Sequence, residues 1–141
     1  SSGNYQEGTG TIGGWEICAM RSYLKSTVKP LIPETVQNAI KDVTKTQPSF
    51  QSDGKTVVTQ TTTDDVWIPS KEEVTGSSSA YHTLFEDTNA KRAKTKADGT
   101  SLGWWLRSAI ARNAFHFVTP AGVSDYQVPH NACGIALGFC T

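Results

Sequence analysis

WWLRSAIARNAFHFVTPAGVSDYQVPHNACGIALGFC, residues 104–140, opens and closes on apolar segments and holds between them a polar, irregular middle with Pro120, Gly122 and Pro129. The ends read as scaffold and the middle as a display surface. Trp104-Trp105-Leu106, Phe115 to Val118 and Ile135 to Phe139 are expected as three strands of one small sheet, with Arg107 held by a carboxylate or by backbone carbonyls. Side chains of a strand alternate between its faces, so Phe115 can point inward while His116 points out. Short strands and turns between Thr119 and Asn131 leave many side chains with no core to enter. Their identity can then vary without unfolding the chain.

The composition of this stretch is skewed in a particular way. The 34 residues from Ser108 to Thr141 contain no Lys, Glu, Met or Trp, and their one Gln is Gln127. Codons for these five residue types all end in a purine. They fill 25 of the first 107 positions, so about 8 are expected in the tail at uniform composition, a shift large enough to carry information. A gene segment built mostly of codons ending in a pyrimidine produces such a gap. A small, neutral, loop-rich tail is the plainer explanation.

WWLRS, Phe115, Val118, Gly122, Gly134-Ile135 and Gly138-Phe139-Cys140 together resemble the variable region of variable proteins from diversity-generating retroelements. GGWEICAMRSYL (13–24), IPETVQNAIKDVTK (32–45) and TTDDVWIPSKEEV (62–74) resemble the constant part of those domains, so the likeness spans most of the chain. It implies a C-type lectin-like fold of α+β class, related to the formylglycine-generating-enzyme branch: two helices packed on a small, mostly antiparallel sheet with long irregular loops. In such proteins adenines of a template are mutated during copying, and Asn codons become other codons ending in a pyrimidine. Gln127 departs from that pattern. The variable ligand-binding region is then about 108–133. The displayed side chains are expected to be Ile110, Arg112, Asn113, His116, Phe117, Thr119, Ser124, Asp125, Tyr126, Pro129, His130 and Asn131, with Cys133 a variable position without an inherited role. They mix aromatic, apolar and hydrogen-bonding groups, the blend that interface cores favour, and Tyr126 offers a rigid contact with a polar tip.

Working outward, 141 residues with 37% hydrophobic content and a formal net charge of +0 describe one globular domain. Residues 1–13 are expected as a flexible start followed by an edge strand near Thr9 to Ile12, and residues 14–141 as a single domain. Trp15, Cys18, Ala19, Tyr23 and Leu24 recur at near-helical spacing and predict a helix over 15–25. Pro33 opens a second helix to about Val43, with Val36, Ala39, Ile40 and Val43 inward. Thr44 to Asp65 reads as a loop or hairpin insertion, Asp65 to Pro69 as a short buried strand, and Ser70 with Glu73 as a capping box. Gly76 to Gly103 lacks apolar periodicity, and its Lys91–Lys96 run reads as a solvated loop.

Neutral charge argues against nucleic acid as a partner, and no apolar run reaches the roughly 20 residues a membrane span needs. No secretory signal is visible. Cys18, Cys133 and Cys140 form neither a disulfide framework nor a zinc pattern, and Cys140 is expected to be buried and reduced. His82, His116 and His130 are scattered with no triad frame, and Asp64-Asp65 and Glu72-Glu73 lack the spacing of a calcium loop, reading instead as cap and surface charges. The calcium-dependent sugar motifs of true C-type lectins, Glu-Pro-Asn or Gln-Pro-Asp with Trp-Asn-Asp, are absent. No catalytic residue, metal or cofactor is therefore expected. The favoured function is recognition of a protein or glycan-bearing surface ligand in an extracellular setting, a phage or virus tail or a cell surface, as part of a larger protein. The alternatives are an enzyme-like domain of the formylglycine-generating type, which depends on two active-site cysteines, and a cell-surface structural module of constant sequence.

Overall fold

A computed structural model describes residues 3–4, 13–51, 53–76, 88–111, 113–129 and 131–141. The edge strand expected near Thr9 to Ile12 lies outside the described residues. Within them β1 (Gly3–Asn4) pairs antiparallel with β9 (Ala132–Cys133).

The first predicted helix is present but broken. It forms α1 (Gly14–Ile17), leaves helical geometry at Cys18, and resumes as α2 (Ala19–Tyr23), then a π turn over Leu24–Val28 and a 3-10 turn over Lys29–Leu31. In one straight helix Trp15 and Met20 would project about 140° apart. The break at Cys18 lets both bury completely. The second helix is shorter than expected: α3 spans only Glu34–Gln37. Lys41 donates its N–H to the Cys140 carbonyl at 2.9 Å, and Val43 already begins β2. Tertiary pairing outweighs the periodic pattern, because so short a helix is marginal alone.

β2 (Val43–Phe50) and β3 (Val57–Asp64) form the hairpin allowed for by the Thr-rich segment, in register from Val43↔Asp64 to Phe50↔Val57. Its turn is set by Asp53, whose carboxylate accepts the N–H groups of Lys55 and Thr56, and by Gly54 at φ 65°. Asp64 is not a surface charge. It is buried at the hairpin's end, accepting from Trp15 Nε1 (2.9 Å), Thr62 Oγ1 (2.6 Å) and Arg21 Nε (2.6 Å). Burial pushes its carboxyl up, but those donors outweigh it and hold the group below its ordinary range. Val66, Trp67 and Ile68 are fully buried as expected, although the chain makes a single bridge, Trp67↔Gly138, rather than a strand. Ser70 and Glu73 close the predicted capping box on α4 (Lys71–Thr75). Beyond it come α5 (Asn89–Arg92), β4 (Lys94–Thr95) and β5 (Ser101–Leu102).

The main sheet is antiparallel, in order β6 (Trp104–Ala111), β7 (Ala114–Val118), β8 (Ser124–Gln127). One expected strand is misplaced: Ile135 to Phe139 does not join this sheet. That segment is a strap held by the isolated bridges Trp104↔Gly134, Trp67↔Gly138 and Lys41↔Cys140. Phe139 is accordingly 38% exposed, and Cys140 is exposed rather than buried. The sheet is covered on both faces. Trp105, Phe115 and Phe117 join Trp15, Met20, Leu24 and Trp67 in the larger cluster, while Trp104, Leu106 and Val118 pack with Val74 in a smaller one. The domain is thus a mixed α+β fold of small antiparallel sheets and short helices.

Candidate functional site

The surface predicted to carry recognition is built on β6, β7 and β8, and its geometry starts from a bulge. Trp105 lies opposite Phe117 and Ala109 opposite Phe115, so Leu106, Arg107 and Ser108 all face the single residue His116. The bulge aims Arg107 into the interior. Its Nε donates to Gln47 Oε1 (3.0 Å), its Nη1 to the Ile68 carbonyl (2.8 Å) and to Glu73, and its Nη2 to the Thr46 carbonyl (3.3 Å). Carboxylate and carbonyls both hold it. Lys45 reaches Glu73 from the other side at 3.2 Å and lies over the Trp67 ring, 4.0 Å from its centroid. Burial raises the Glu73 carboxyl, yet Arg107's hydrogen bond and charge, the Ser70 N–H and Lys45 together hold it below the ordinary range. The capping residue of α4 is therefore also the counter-ion of β6.

The β7–β8 turn is fixed locally. Thr119 accepts from Gly122 N at its carbonyl (2.9 Å) and from Val123 N at its hydroxyl (3.1 Å), and Gly122 sits at φ 84°. A Cβ at Gly122 would also run into the Asn89 carbonyl, so both conformation and space demand glycine there.

On this frame the predicted residues divide. Ile110 (40% exposed), Asn113, Asp125 and Tyr126 (61% exposed) face solvent; His116, Thr119, Ser124 and Asn131 are half-buried. Phe117, Pro129 and Cys133 are buried. Phe117 belongs to the core beside Trp105, ring centroids 6.1 Å apart, and is a correction to the displayed set. Cys133 pairs through β9 with β1, and burial raises its thiol above the ordinary range, which keeps it protonated at neutral pH. Pro129 is likewise withheld from solvent. Arg112 and His130 lie outside the described residues. Val123, 45% exposed beside Ser124, belongs to the surface and was not singled out in the sequence; its place after the turn glycine is the signal that could have found it.

His116 faces Tyr126 across the β7–β8 pair. Burial and the Lys71 ammonium push its imidazole down, against a main-chain hydrogen bond and the carboxylate of Asp125. Its Nδ1 has no hydrogen-bond partner among the described residues.

Concavities lie elsewhere. A cleft of about 540 Å³ is lined by Val28, Leu31, Lys96, Leu102, Gly134, Ile135 and Leu137, none of them a predicted display residue. Two smaller ones, of about 270 and 190 Å³, share Thr46, Ser70 and Glu72. Among the described residues no group of three or more His, Cys, Asp or Glu side chains could hold a metal ion, no cysteine is paired, and no helix is long and apolar enough to cross a membrane. None of these three concavities is lined by Ile110, Asn113, Asp125 or Tyr126.

A family model described as a domain of unknown function (DUF6273) matches residues 1–140, and the chain belongs to that family. No curated protein and no solved structure matches it.

Proposed function

We propose that this member of the DUF6273 family is a non-enzymatic recognition domain of C-type lectin-like fold, related to the variable proteins of diversity-generating retroelements. Its exposed β6–β8 side chains bind a protein or glycan-bearing surface ligand and are diversified through adenine mutagenesis. The observation that carries this reading is the agreement of two independent partitions. Of the framework positions of the resemblance, Trp104 to Ser108, Phe115, Val118, Gly122 and Gly134 are buried and Ile135 and Gly138 half-buried, while Phe139 and Cys140 at its end are exposed. The exposed side chains Ile110, Asn113, Asp125 and Tyr126 lie between them, inside the segment that lacks purine-ending codon residues. A display surface needs that combination, because surface changes usually alter stability by less than about 0.5 kcal/mol.

The setting proposed is extracellular, on a phage or virus tail or a cell surface, within a larger protein. Binding is expected to survive EDTA. The enzyme-like alternative gains nothing from the cysteines, since Cys133 is buried and Cys140 exposed, and neither is paired.

Two experiments test the proposal. The genome carrying this gene is expected to hold a near-identical copy of the segment encoding Ser108 to Cys140, differing mainly at adenines and lying beside a reverse transcriptase. A partner captured from host-surface extract is expected to lose affinity for a variant with Tyr126, Arg112 and His130 changed to Ala. Undiminished binding by that folded variant places the site elsewhere.

A further inference from the structure

The β2–β3 hairpin is a two-stranded sheet, so each strand has one edge unpaired within it. Hydrogen-bonding direction alternates along antiparallel strands. Gln51 N donates to the Thr56 carbonyl at 3.0 Å, which makes 51/56, and by alternation 49/58 and 47/60, the mutually bonded pairs. The intervening residues turn their N–H and C=O groups away from the hairpin. On β2 that outer edge is partly taken up: Arg107 donates to the Thr46 carbonyl, Gly13 N donates to the Phe50 carbonyl, and Pro48, between them, has no N–H. A proline in the middle of a strand is tolerated at just such an edge position.

β3 is different. Its outward residues are Val57, Thr59, Thr61 and Thr63, and of these only Thr63 has its carbonyl taken, by Arg21 Nη2 at 3.2 Å. Val57, Thr59 and Thr61 are exposed, with no backbone partner on that side among the described residues. Residues 57–63, VVTQTTT, carry no charge, no Gly and no Pro, and six of the seven are β-branched. Edge strands are usually blunted by charge, proline or cover. Among the described residues none of these devices protects this one.

We propose that the free edge of β3 is a strand-pairing site and that its occupant is a second copy of this chain, joined antiparallel across a two-fold axis at Thr59. The open groups themselves select that occupant. They are centred on Thr59 and end where Arg21 takes over the Thr63 carbonyl. Setting Thr59 against Thr59, and Val57 against Thr61 in both directions, satisfies the open N–H and C=O groups of Val57, Thr59 and Thr61 in the two copies with about six hydrogen bonds. Facing side chains are uncharged and, apart from Gln60 opposite Val58, β-branched, a favourable cross-strand match. Lys55 of one copy falls opposite Thr63 of the other, so no like charges meet. The pairing is isologous and closes on itself, because each copy spends its β3 edge on the other, and the β2 edges left outermost are interrupted by Pro48 and have the Thr46 and Phe50 carbonyls already taken.

Sedimentation equilibrium on the intact chain, from low micromolar to near-millimolar concentration, tests this. A reversible monomer–dimer equilibrium is expected. Thr59→Lys and Thr59→Glu are each expected to weaken association by more than about tenfold, since each puts like charges face to face at the axis. An equimolar mixture of the two is expected to recover it. Thr59→Pro, which deletes the central N–H, is expected to abolish it, with far-UV circular dichroism confirming that every variant folds. A wild-type chain that stays monomeric overturns the proposal and leaves the edge to a foreign strand. A dimer indifferent to both charge variants, or a mixture that fails to recover, overturns it as well.

Discussion

Arg107 and Glu73 are separated by 34 residues and meet as the polar pivot of the interior. Removing one member of a buried pair strands the other, so Arg107→Ala is expected to cost ~3–5 kcal/mol in urea titration. Arg107→Lys is expected to recover only part of that, because an ammonium cannot reach Gln47, Ile68, Thr46 and Glu73 at once. Glu73 is held below its ordinary value, so its contribution is present above about pH 4.5 and is lost as pH falls through the folded-state value. His116 has the same preference for the deprotonated form, which for an imidazole is the neutral one. Its imidazole is depressed from 6.5, so nothing is lost near neutrality, while below that value the unfolded chain binds the proton first and stability declines. His116→Gln is expected to flatten the melting temperature between about pH 7 and 5; an unchanged slope contradicts this. Arg107's need for a carboxylate and carbonyls was legible in the sequence, as was the Ser70–Glu73 cap. That one carboxylate serves both was not, since nothing local joins residues so far apart.

At the level of elements, the sequence marked where structure starts better than where it stops. Apolar spacing found the helix at Trp15, but burying both Trp15 and Met20 required the break at Cys18. Val36, Ala39, Ile40 and Val43 fit a helix, yet Val43 belongs to a strand whose partner lies beyond the hairpin turn. The apolar run from Ile135 to Phe139 could not be told from a strand by composition. In the folded chain it is a strap bonded at alternate points to three different segments, which leaves Phe139 partly outside. Trp105→Ala is therefore expected to cost ~3–5 kcal/mol, whereas Phe139→Ala is expected to cost under ~1 kcal/mol as a partly exposed position. Equal losses by calorimetry would return the strap to the core. Gly122→Ala is expected to destabilise by ~1–3 kcal/mol through its left-handed backbone alone, before the contact with Asn89 is counted.

For the whole molecule, the division between frame and display is the testable property. Replacing Ile110, Asn113 and Tyr126 together by Ser is expected to move stability by no more than about 0.5 kcal/mol per site, read as the midpoint of thermal unfolding; a loss equal to that of Trp105→Ala removes the distinction. Alternation along β7 was legible in the sequence, and it sets Phe117 on the same inward face as Phe115, where both join the larger cluster, so its place among the displayed residues ran against the pattern. The strap has a further consequence, in time rather than in space. It pins residue 134 to 104, 138 to 67 and 140 to 41, while β9 returns to β1 near the start. Loop closures that long are entropically slow, and during synthesis the first helices and the hairpin leave the ribosome long before the segment that locks them. The domain is therefore expected to wait as a collapsed, uncommitted chain until residues 134–140 emerge. A chain stopped after Cys133 should unfold without a cooperative transition, and its hairpin amides should exchange with solvent as fast as those of a loop.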